Sequence, residues 1–150
     1  MWKIKPFSNL TAIELYDILA LRVNVFVVEQ DCPYPELDGK DTHPGTLHLW
    51  ASVGETPVGA YLRILAPGVS YPGVSLGRVV TVKSSRGGGL GHELIEKAIC
   101  LAEKHWPGNP IQIGAQEYLK AFYESHGFSA ISDTYLEDNI PHIDMVLNQP

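Results

Sequence analysis

A glycine-rich turn near the middle of the chain follows an apolar strand and opens a helical pattern. Residues 79–92 read Val-Val-Thr-Val-Lys-Ser-Ser-Arg-Gly-Gly-Gly-Leu-Gly-His. The start of a helix leaves backbone N–H groups without intrahelical partners, and the helix dipole makes that end electropositive. Glycines let these N–H groups approach an anion closely, because no Cβ stands in the way. The sequence therefore predicts a turn that binds phosphate.

Two common phosphate-binding patterns do not fit this turn. A P-loop needs Lys and then Ser or Thr after its last glycine, whereas His92 and Glu93 follow Gly91, so hydrolysis of a nucleoside triphosphate is not expected. A dinucleotide fingerprint needs a third glycine, which would fall on His92 or on Leu94. A glycine-rich connection that binds nothing is the alternative that stays open at this point.

The elements around the turn predict one domain, residues 1–150, of the α/β (α+β) class. Thr11 and Glu14 have the spacing of a capping box, and residues 23–28 are expected to be short helical or irregular. Prolines and glycines make residues 31–46 a long loop. Helices are predicted over residues 11–22, from 90 to the proline at 107, and over 116–125, and strands over residues 2–5, 47–53, 58–65, 74–82, 111–115, 128–132 and 142–148.

Composition and charge narrow the class of protein further. An apolar content of 45% and a charged content of 19% are ordinary for a globular protein, and the net charge of −6 argues against nucleic acid as the main partner. No apolar run approaches the roughly 20 residues that span a bilayer, and the first residues lack the apolar core of a signal peptide, so a cytoplasmic protein without a membrane partner is expected. Cys32 and Cys100 stand alone, so we expect reduced thiols and no metal site.

The glycine turn resembles the coenzyme A loop of the GCN5-related N-acetyltransferase (GNAT) superfamily. Arg86-x-x-Gly89-x-Gly91 matches the pattern of that loop, which is Arg or Gln, two residues, Gly, one residue, and Gly or Ala. Residues 115–128 resemble the next block of the superfamily, where a strand leads into a helix that carries a tyrosine, here Tyr123, followed by Gly-Phe. Residues 21–41 and 135–145 are similar to the ElaA-like group, so the resemblance covers nearly the whole chain.

The resemblance implies an acetyl-coenzyme A-dependent N-acetyltransferase. The acetyl group would pass to a primary amine of a small molecule or peptide by direct attack on the thioester, in a single GNAT-like domain. A central mixed, mostly antiparallel sheet would splay around the cofactor and be flanked by helices. A non-catalytic coenzyme A-binding or protein-interaction module is the alternative, and a longer acyl donor, an alcohol acceptor and a homodimer stay open.

The resemblance also implies a set of cofactor-binding residues. Val80 and Val82 would pair their backbone with the pantetheine arm, Arg86 would add positive charge beside the pyrophosphate, and Tyr123 would act as general acid on the departing thiolate. Tyr123 has a plain alternative as a core residue. The full cofactor set is Val80, Thr81, Val82, Arg86, Gly87, Gly88, Gly89, Leu90, Gly91, His92, Gln116 and Tyr123.

The general base is less defined by the sequence. Some relatives carry a glutamate on the strand before the loop, where this chain has Gly77-Arg78. Glu29 and His142 are the preferred candidates because they lie in the ElaA-like segments, and a water relay is the alternative. The remaining candidates are Asp41, His43 and His48.

Charged residues around the predicted acceptor side allow two interpretations. The acidic stretch 29–41 is either a solvated loop or a rim that attracts a cationic amine. If Arg63 and Arg78 face the acceptor pocket, the substrate is expected to carry a carboxylate beside its amine.

Overall fold

The computed structural model describes residues 2–149, which form one eight-stranded sheet flanked by three α-helices. The sheet has the order β1-β2-β3-β4-β5-β8-β6, and β7 pairs with β8. The strands are β1 (Trp2–Pro6), β2 (Leu47–Val53), β3 (Thr56–Leu65), β4 (Val74–Thr81), β5 (Ile111–Gln116), β6 (Ser129–Ala130), β7 (Tyr135–Glu137) and β8 (Ile140–Leu147), and the helices are α1 (Ala12–Val23), α2 (Leu90–His105) and α3 (Lys120–Glu124). This arrangement confirms the predicted mixed, mostly antiparallel sheet.

The sheet divides between β4 and β5. These two strands are parallel and pair only through Val74 with Ile111 and Ser75 with Gln112, whereas every other neighbouring pair is antiparallel. A bulge accompanies the division, because the register of β3 against β4 shifts between Tyr61 and Arg63. A bulge bends its strand and increases the local twist. The C-terminal half of β4 therefore separates from β5.

Two apolar layers cover the faces of the sheet. On one face α2 buries Leu94, Ile95, Ala98 and Ala102 completely in the larger core cluster. On the other face α1 buries Ile18 in a smaller cluster that also holds Trp50, Tyr61 and Val80. Burying one such large apolar side chain contributes about 1.5–3 kcal/mol, so both helices are fixed firmly against the strands that carry the site.

Most predicted elements are confirmed, with differences at three places. The capping box at Thr11 is present, and the predicted helical or irregular segment is a π-helical stretch over Asn24–Glu29. The predicted third helix is shorter, because a 3₁₀ turn over Glu117–Leu119 precedes α3. The strand β7 was not predicted. Within residues 2–149 no helix combines the length and the apolar character that a membrane span requires; the cytoplasmic location and the homodimer stay predictions.

Candidate active site

A cleft of about 910 Å³ opens where β4 and β5 separate. The glycine turn lines one end of the cleft, and the loop over residues 31–46 and the β7–β8 hairpin line the other. Tyr123, Gln116, Glu29 and His142 all contribute to its walls, so the structure brings the predicted site residues from four separate segments to one place.

The glycine turn has the backbone conformation that its glycines allow. Gly87 and Gly89 have φ angles of 89° and 84°, in the left-handed region that side chains with a Cβ rarely adopt. A Cβ built on Gly87, Gly88 or Gly89 would meet nothing within 4 Å, so these glycines leave open space rather than avoid a clash. Gly89 is the N-cap of α2, and the first backbone N–H groups of that helix face the open side of the turn. The turn therefore fits a phosphate group.

Arg86 holds this turn against its surroundings. Its guanidinium donates to the Thr81 carbonyl at 3.1 and 3.2 Å and to the carboxylate of Glu29 at 2.7 and 3.3 Å. The predicted positive charge beside the pyrophosphate is thus offset by a carboxylate that the sequence suggested as a base. The side chains of Arg86 and Glu29 are 38% and 33% exposed, so the pair is only partly shielded from water.

The backbone register of β4 corrects one prediction. Both main-chain groups of Val82 are used within the protein, since its N–H donates to Gly59 at 2.8 Å and its carbonyl accepts from Ser85 at 3.0 Å. Main-chain groups along an antiparallel strand alternate in direction, so the hydrogen bonds of Val80 also point to β3. Thr81 faces the open edge instead, as its bond from Arg86 shows. The prediction that Val80 and Val82 offer their backbone to the pantetheine arm is therefore wrong, because the main chain that faces the open edge is that of Thr81.

Tyr123 is both a core residue and a cleft residue. Only 5% of the residue is exposed, and its ring packs edge-on against Phe122 and Phe128 at centroid distances of 5.1 and 5.9 Å. Among residues 2–149 its hydroxyl has no hydrogen-bond partner, and the residue lines the cleft. Burial raises the pKa of this phenol above its ordinary value, so it stays protonated at neutral pH.

Two polar contacts and one packed ring pair support the walls around Tyr123. Gln116, at the end of β5, donates to the side chain of Gln30 at 3.2 Å. Nδ1 of His92, in the first turn of α2, lies 2.8 Å from Nε2 of His126, and the His92 ring packs against Phe122. Burial lowers the pKa of His126, and the neighbouring His92 ring lowers it further. His126 could not be identified from the sequence, because a lone histidine after a helix is a common surface residue.

The two preferred candidates for the base have different surroundings. Glu29 is held by Arg86, as described above. His142 is 9% exposed, and its Nδ1 lies 2.7 Å from the carbonyl of Ile140, so Nδ1 donates to that carbonyl and Nε2 is the ring nitrogen that is left to exchange a proton. Nε2 lies 3.6 Å from the carboxylate of Glu137, and the ring stacks on Tyr135. His142 is thus oriented as a proton acceptor.

The other candidate bases serve structural roles. His48 is buried between the Tyr61 hydroxyl at 2.8 Å and the Asp41 carbonyl at 3.0 Å, and burial lowers its pKa. Nδ1 of His43 accepts from the backbone of Gly45. Asp41 accepts hydrogen bonds from two arginines. Within the described part of the chain, no three potential ligands come together as a metal site.

The acidic stretch is not a solvated loop. We call the following six residues the arginine–carboxylate cluster: Arg22, Glu36, Asp38, Asp41, Arg63 and Arg78. Arg22 at its centre has no exposed surface. Burial alone would raise the pKa of Asp38, but the hydrogen bonds from Arg63 and from the Lys40 backbone, together with the positive charges of Arg63 and Arg78, outweigh burial and hold that pKa well below its usual range. The cluster fastens the loop over residues 31–46 to α1, β3 and β4.

The comparisons with known proteins agree with this fold. The family model of the acetyltransferase (GNAT) domain matches residues 23–149. Protein ElaA of Escherichia coli K12 is 40% identical over 144 residues, which are 96% of this chain and 94% of ElaA. The crystal structure of E. coli ElaA matches with a TM-score of 0.92 at 37% identity over 99% of each chain. An acyl-CoA N-acyltransferase from Pseudomonas aeruginosa matches with a TM-score of 0.92 at 46% identity over 98% of each chain. The chain therefore belongs to the GNAT acetyltransferase family, and within that family it is an ElaA-like N-acetyltransferase.

Proposed function

We propose that this enzyme transfers the acetyl group of acetyl-coenzyme A to the primary amine of a small molecule or peptide. One observation carries the proposal: a single cleft joins the glycine turn, the unpartnered hydroxyl of Tyr123 and the oriented imidazole of His142. The solved relative from P. aeruginosa is described as an acyl-CoA N-acyltransferase, which supports an acyl-coenzyme A donor. The open space over Gly87 and Gly89 suits the pyrophosphate of that donor.

The main chain of the divided sheet would hold the donor. The N–H groups at the start of α2 bind the pyrophosphate, where the helix dipole adds favourable charge. The outward-facing backbone of Thr81 pairs with an amide of the pantetheine arm, as an added strand would. Arg86 acts by fixing the turn to β4 and to the π-helical segment. Its ion pair with Glu29 keeps the net charge of this part of the site low.

Two side chains would move the protons. His142 Nε2 accepts a proton from the attacking amine, and the carboxylate of Glu137 stabilises the imidazolium that forms. The amine nitrogen bonds to the thioester carbonyl carbon, the C–S bond breaks, and the thiolate takes the proton of the Tyr123 hydroxyl. Burial keeps the pKa of this phenol high, so the proton is present when the thiolate leaves. We favour His142 over Glu29 because Arg86 occupies both oxygens of Glu29.

The proposal is tested by binding and turnover together. Acetyl-coenzyme A at millimolar concentration should raise the melting temperature, because a ligand that binds only the folded state stabilises it. Thiol release should then depend on an added amine, across a panel of amines, amino acids, polyamines and peptides. Binding without amine-dependent thiol release would favour the non-catalytic coenzyme A-binding module, for which the absence of a glutamate at Gly77-Arg78 is the one supporting feature. Absence of binding would contradict both functions.

A further inference from the structure

The arginine–carboxylate cluster leaves no net positive charge at the acceptor end of the cleft. Its three arginines and three carboxylates cancel in charge. Arg63 and Arg78 line the cleft, but their guanidinium groups are committed to carboxylates at distances between 2.5 and 3.0 Å. An acceptor carboxylate would have to displace those bonds at Arg63, of which 3% is exposed. The expectation that these arginines recognise a carboxylate on the acceptor is therefore not supported.

The β7–β8 hairpin gives the same end of the cleft a negative charge. Glu137 and Asp138 both line the cleft, and within residues 2–149 neither is in ion-pair range of an arginine or lysine. The hairpin turn is fixed, because Asp138 and Asn139 have φ angles of 51° and 63°, which is the pattern of a type I′ turn. The carbonyl of Asp138 also accepts from the thiol of Cys32 at 3.5 Å. The backbone that carries these two carboxylates is therefore fixed, and neither carboxylate is paired with an arginine or lysine of the described residues.

A third carboxylate and two phenols stand behind the hairpin. Asp144 accepts from the Tyr135 hydroxyl at 2.6 Å. A Cβ on Gly114 would lie 3.3 Å from the Tyr135 oxygen, 3.6 Å from the Tyr71 oxygen and 3.8 Å from Asp144, so these three groups come close together over Gly114 on β5. Burial raises the pKa of Tyr71, and the nearby carboxylates of Asp144 and Glu137 raise it further, so this phenol stays neutral. Oxygen atoms of this kind accept hydrogen bonds from an ammonium group.

An independent observation shows that this end of the cleft receives a polar group. His142 is nine-tenths buried, and among the described residues its Nε2 has no hydrogen-bond partner. The same atom faces Glu137 at 3.6 Å. Nε2 therefore belongs to a largely buried ring that lines the cleft, and an ammonium or amine N–H in the cleft can donate a hydrogen bond to it.

We infer that the acceptor is a short aliphatic diamine, with one amine that reacts and a second that stays charged. This inference rests on the proposed acetyl transfer. The reacting nitrogen loses its proton to His142, and the second ammonium is held by the carboxylates of Glu137 and Asp138. Lys40 favours the rival acceptor, which is an amine that also carries a carboxylate. The Lys40 ammonium donates to the Ser70 hydroxyl at 2.7 Å and not to a carboxylate, so its charge is available to an acceptor carboxylate. The cleft lining sets this one lysine against the carboxylates of Glu137 and Asp138, so the balance of charge favours the diamine.

Three probes of equal length separate these acceptors: 1,4-diaminobutane, butylamine and 4-aminobutanoate. With acetyl-coenzyme A saturating, kcat/KM is expected to be about tenfold higher for the diamine than for butylamine, and lowest for 4-aminobutanoate. Equal or better use of butylamine or 4-aminobutanoate would overturn the inference and leave acetyl transfer intact. Binding of acetyl-coenzyme A with no turnover of any probe, but turnover of another amine, would also overturn it.

Substitutions in the β7–β8 hairpin test whether its carboxylates cause the preference for the diamine over butylamine. Glu137→Gln and Asp138→Asn should each lower the ratio of kcat/KM for the diamine to that for butylamine by about threefold to fivefold, as expected for partly exposed charge pairs. Glu103→Gln is the matched control, because Glu103 is exposed on α2 outside the cleft and should leave the ratio unchanged. An unchanged ratio in both hairpin variants would refute the assignment of the second ammonium to these carboxylates.

Discussion

The Arg22→Met variant removes the central guanidinium of the arginine–carboxylate cluster. Arg22 has no exposed surface, and it donates to Glu36 at 2.9 Å and to Asp41 at 2.7 and 3.1 Å. Removing one side of a buried ion pair costs about 3–5 kcal/mol, because the other charge stays buried without compensation. Each carboxylate here keeps one arginine, Arg78 for Glu36 and Arg63 for Asp41. We therefore expect the free energy of unfolding to fall by about 3 kcal/mol, the lower end of that range.

Arg86→Met provides the matched control. The chemistry of the substitution is the same, but Arg86 and its partner Glu29 are 38% and 33% exposed. An ion pair in contact with water contributes about 1 kcal/mol or less. The measurement is urea unfolding at pH 7 with linear extrapolation, and the slope should be unchanged if both variants stay two-state. If the two variants lose the same stability within about 0.5 kcal/mol, burial of the cluster does not have the energetic effect argued above.

Repeating Arg22→Met in an Asp41→Asn protein distinguishes two causes of the lost stability: a buried carboxylate that has lost its arginine partner, and lost packing of the arginine stem. If the loss in Arg22→Met comes from the uncompensated Asp41 carboxylate, the same substitution should cost at least about 1 kcal/mol less when Asp41 is already asparagine. If the loss comes from the volume and packing of the arginine stem, the cost is the same in both backgrounds. An unchanged cost would therefore refute the electrostatic explanation, even if the first loss were as large as expected.

Three further outcomes are expected. Gly89→Ala should lower the free energy of unfolding by about 1 kcal/mol more than Gly88→Ala in urea titrations, because only Gly89 has a left-handed φ; equal losses would contradict this. Tyr123→Phe should lower kcat at least tenfold with little change in the Kd of acetyl-coenzyme A by calorimetry, and unchanged turnover would remove Tyr123 from the mechanism. Stability should fall between about pH 5 and pH 2, because hydrogen bonds from the backbone of Thr11 and from a lysine lower the pKa of Glu14 to about 2. A carboxylate with a lowered pKa stabilises the fold above its unfolded pKa and loses that effect as pH falls, so the urea midpoint of Glu14→Gln should depend less steeply on pH over this range.

Local signals in the sequence were sufficient for the glycine turn and for most elements. The capping box needs only Thr11 and Glu14, and the glycine turn needs only the residues after β4, so both are visible without the rest of the chain. The strand β7 was missed because its hairpin turn is Asp138-Asn139, a weaker signal than a turn with glycine. Strand periodicity shows which side chains share a face, but the direction of a main-chain carbonyl depends on register. That difference explains why the main-chain groups of Thr81, rather than those of its two neighbours, face the open edge.

Long-range charge pairing was the part of the site that the sequence could not show. The stretch that contains Glu36, Asp38 and Asp41 has the composition of a solvated loop, and its arginine partners lie on α1, β3 and β4. The pairing becomes visible only when the chain is folded, since the partners are up to 42 residues apart along the chain. Because Arg63 and Arg78 are paired with these carboxylates, they neutralise the loop. The expectation that they recognise a carboxylate on the acceptor is therefore not supported.

The bulge at Arg78 links the two ends of the cleft. Arg78 is not a glycine, yet its φ is 53°, a conformation that costs about 1–3 kcal/mol for most residues. Its guanidinium lies 2.7 Å from the carboxylate of Glu36 and 5.5 Å from the centre of the Tyr34 ring, and these contacts offset the cost. The bulge accompanies the separation of β4 from β5, where the proposed donor would bind, and the side chain of the same residue fastens the loop that lines the proposed acceptor end. Because one residue serves both ends, the shape of the acceptor wall depends on the same distortion that opens the donor cleft.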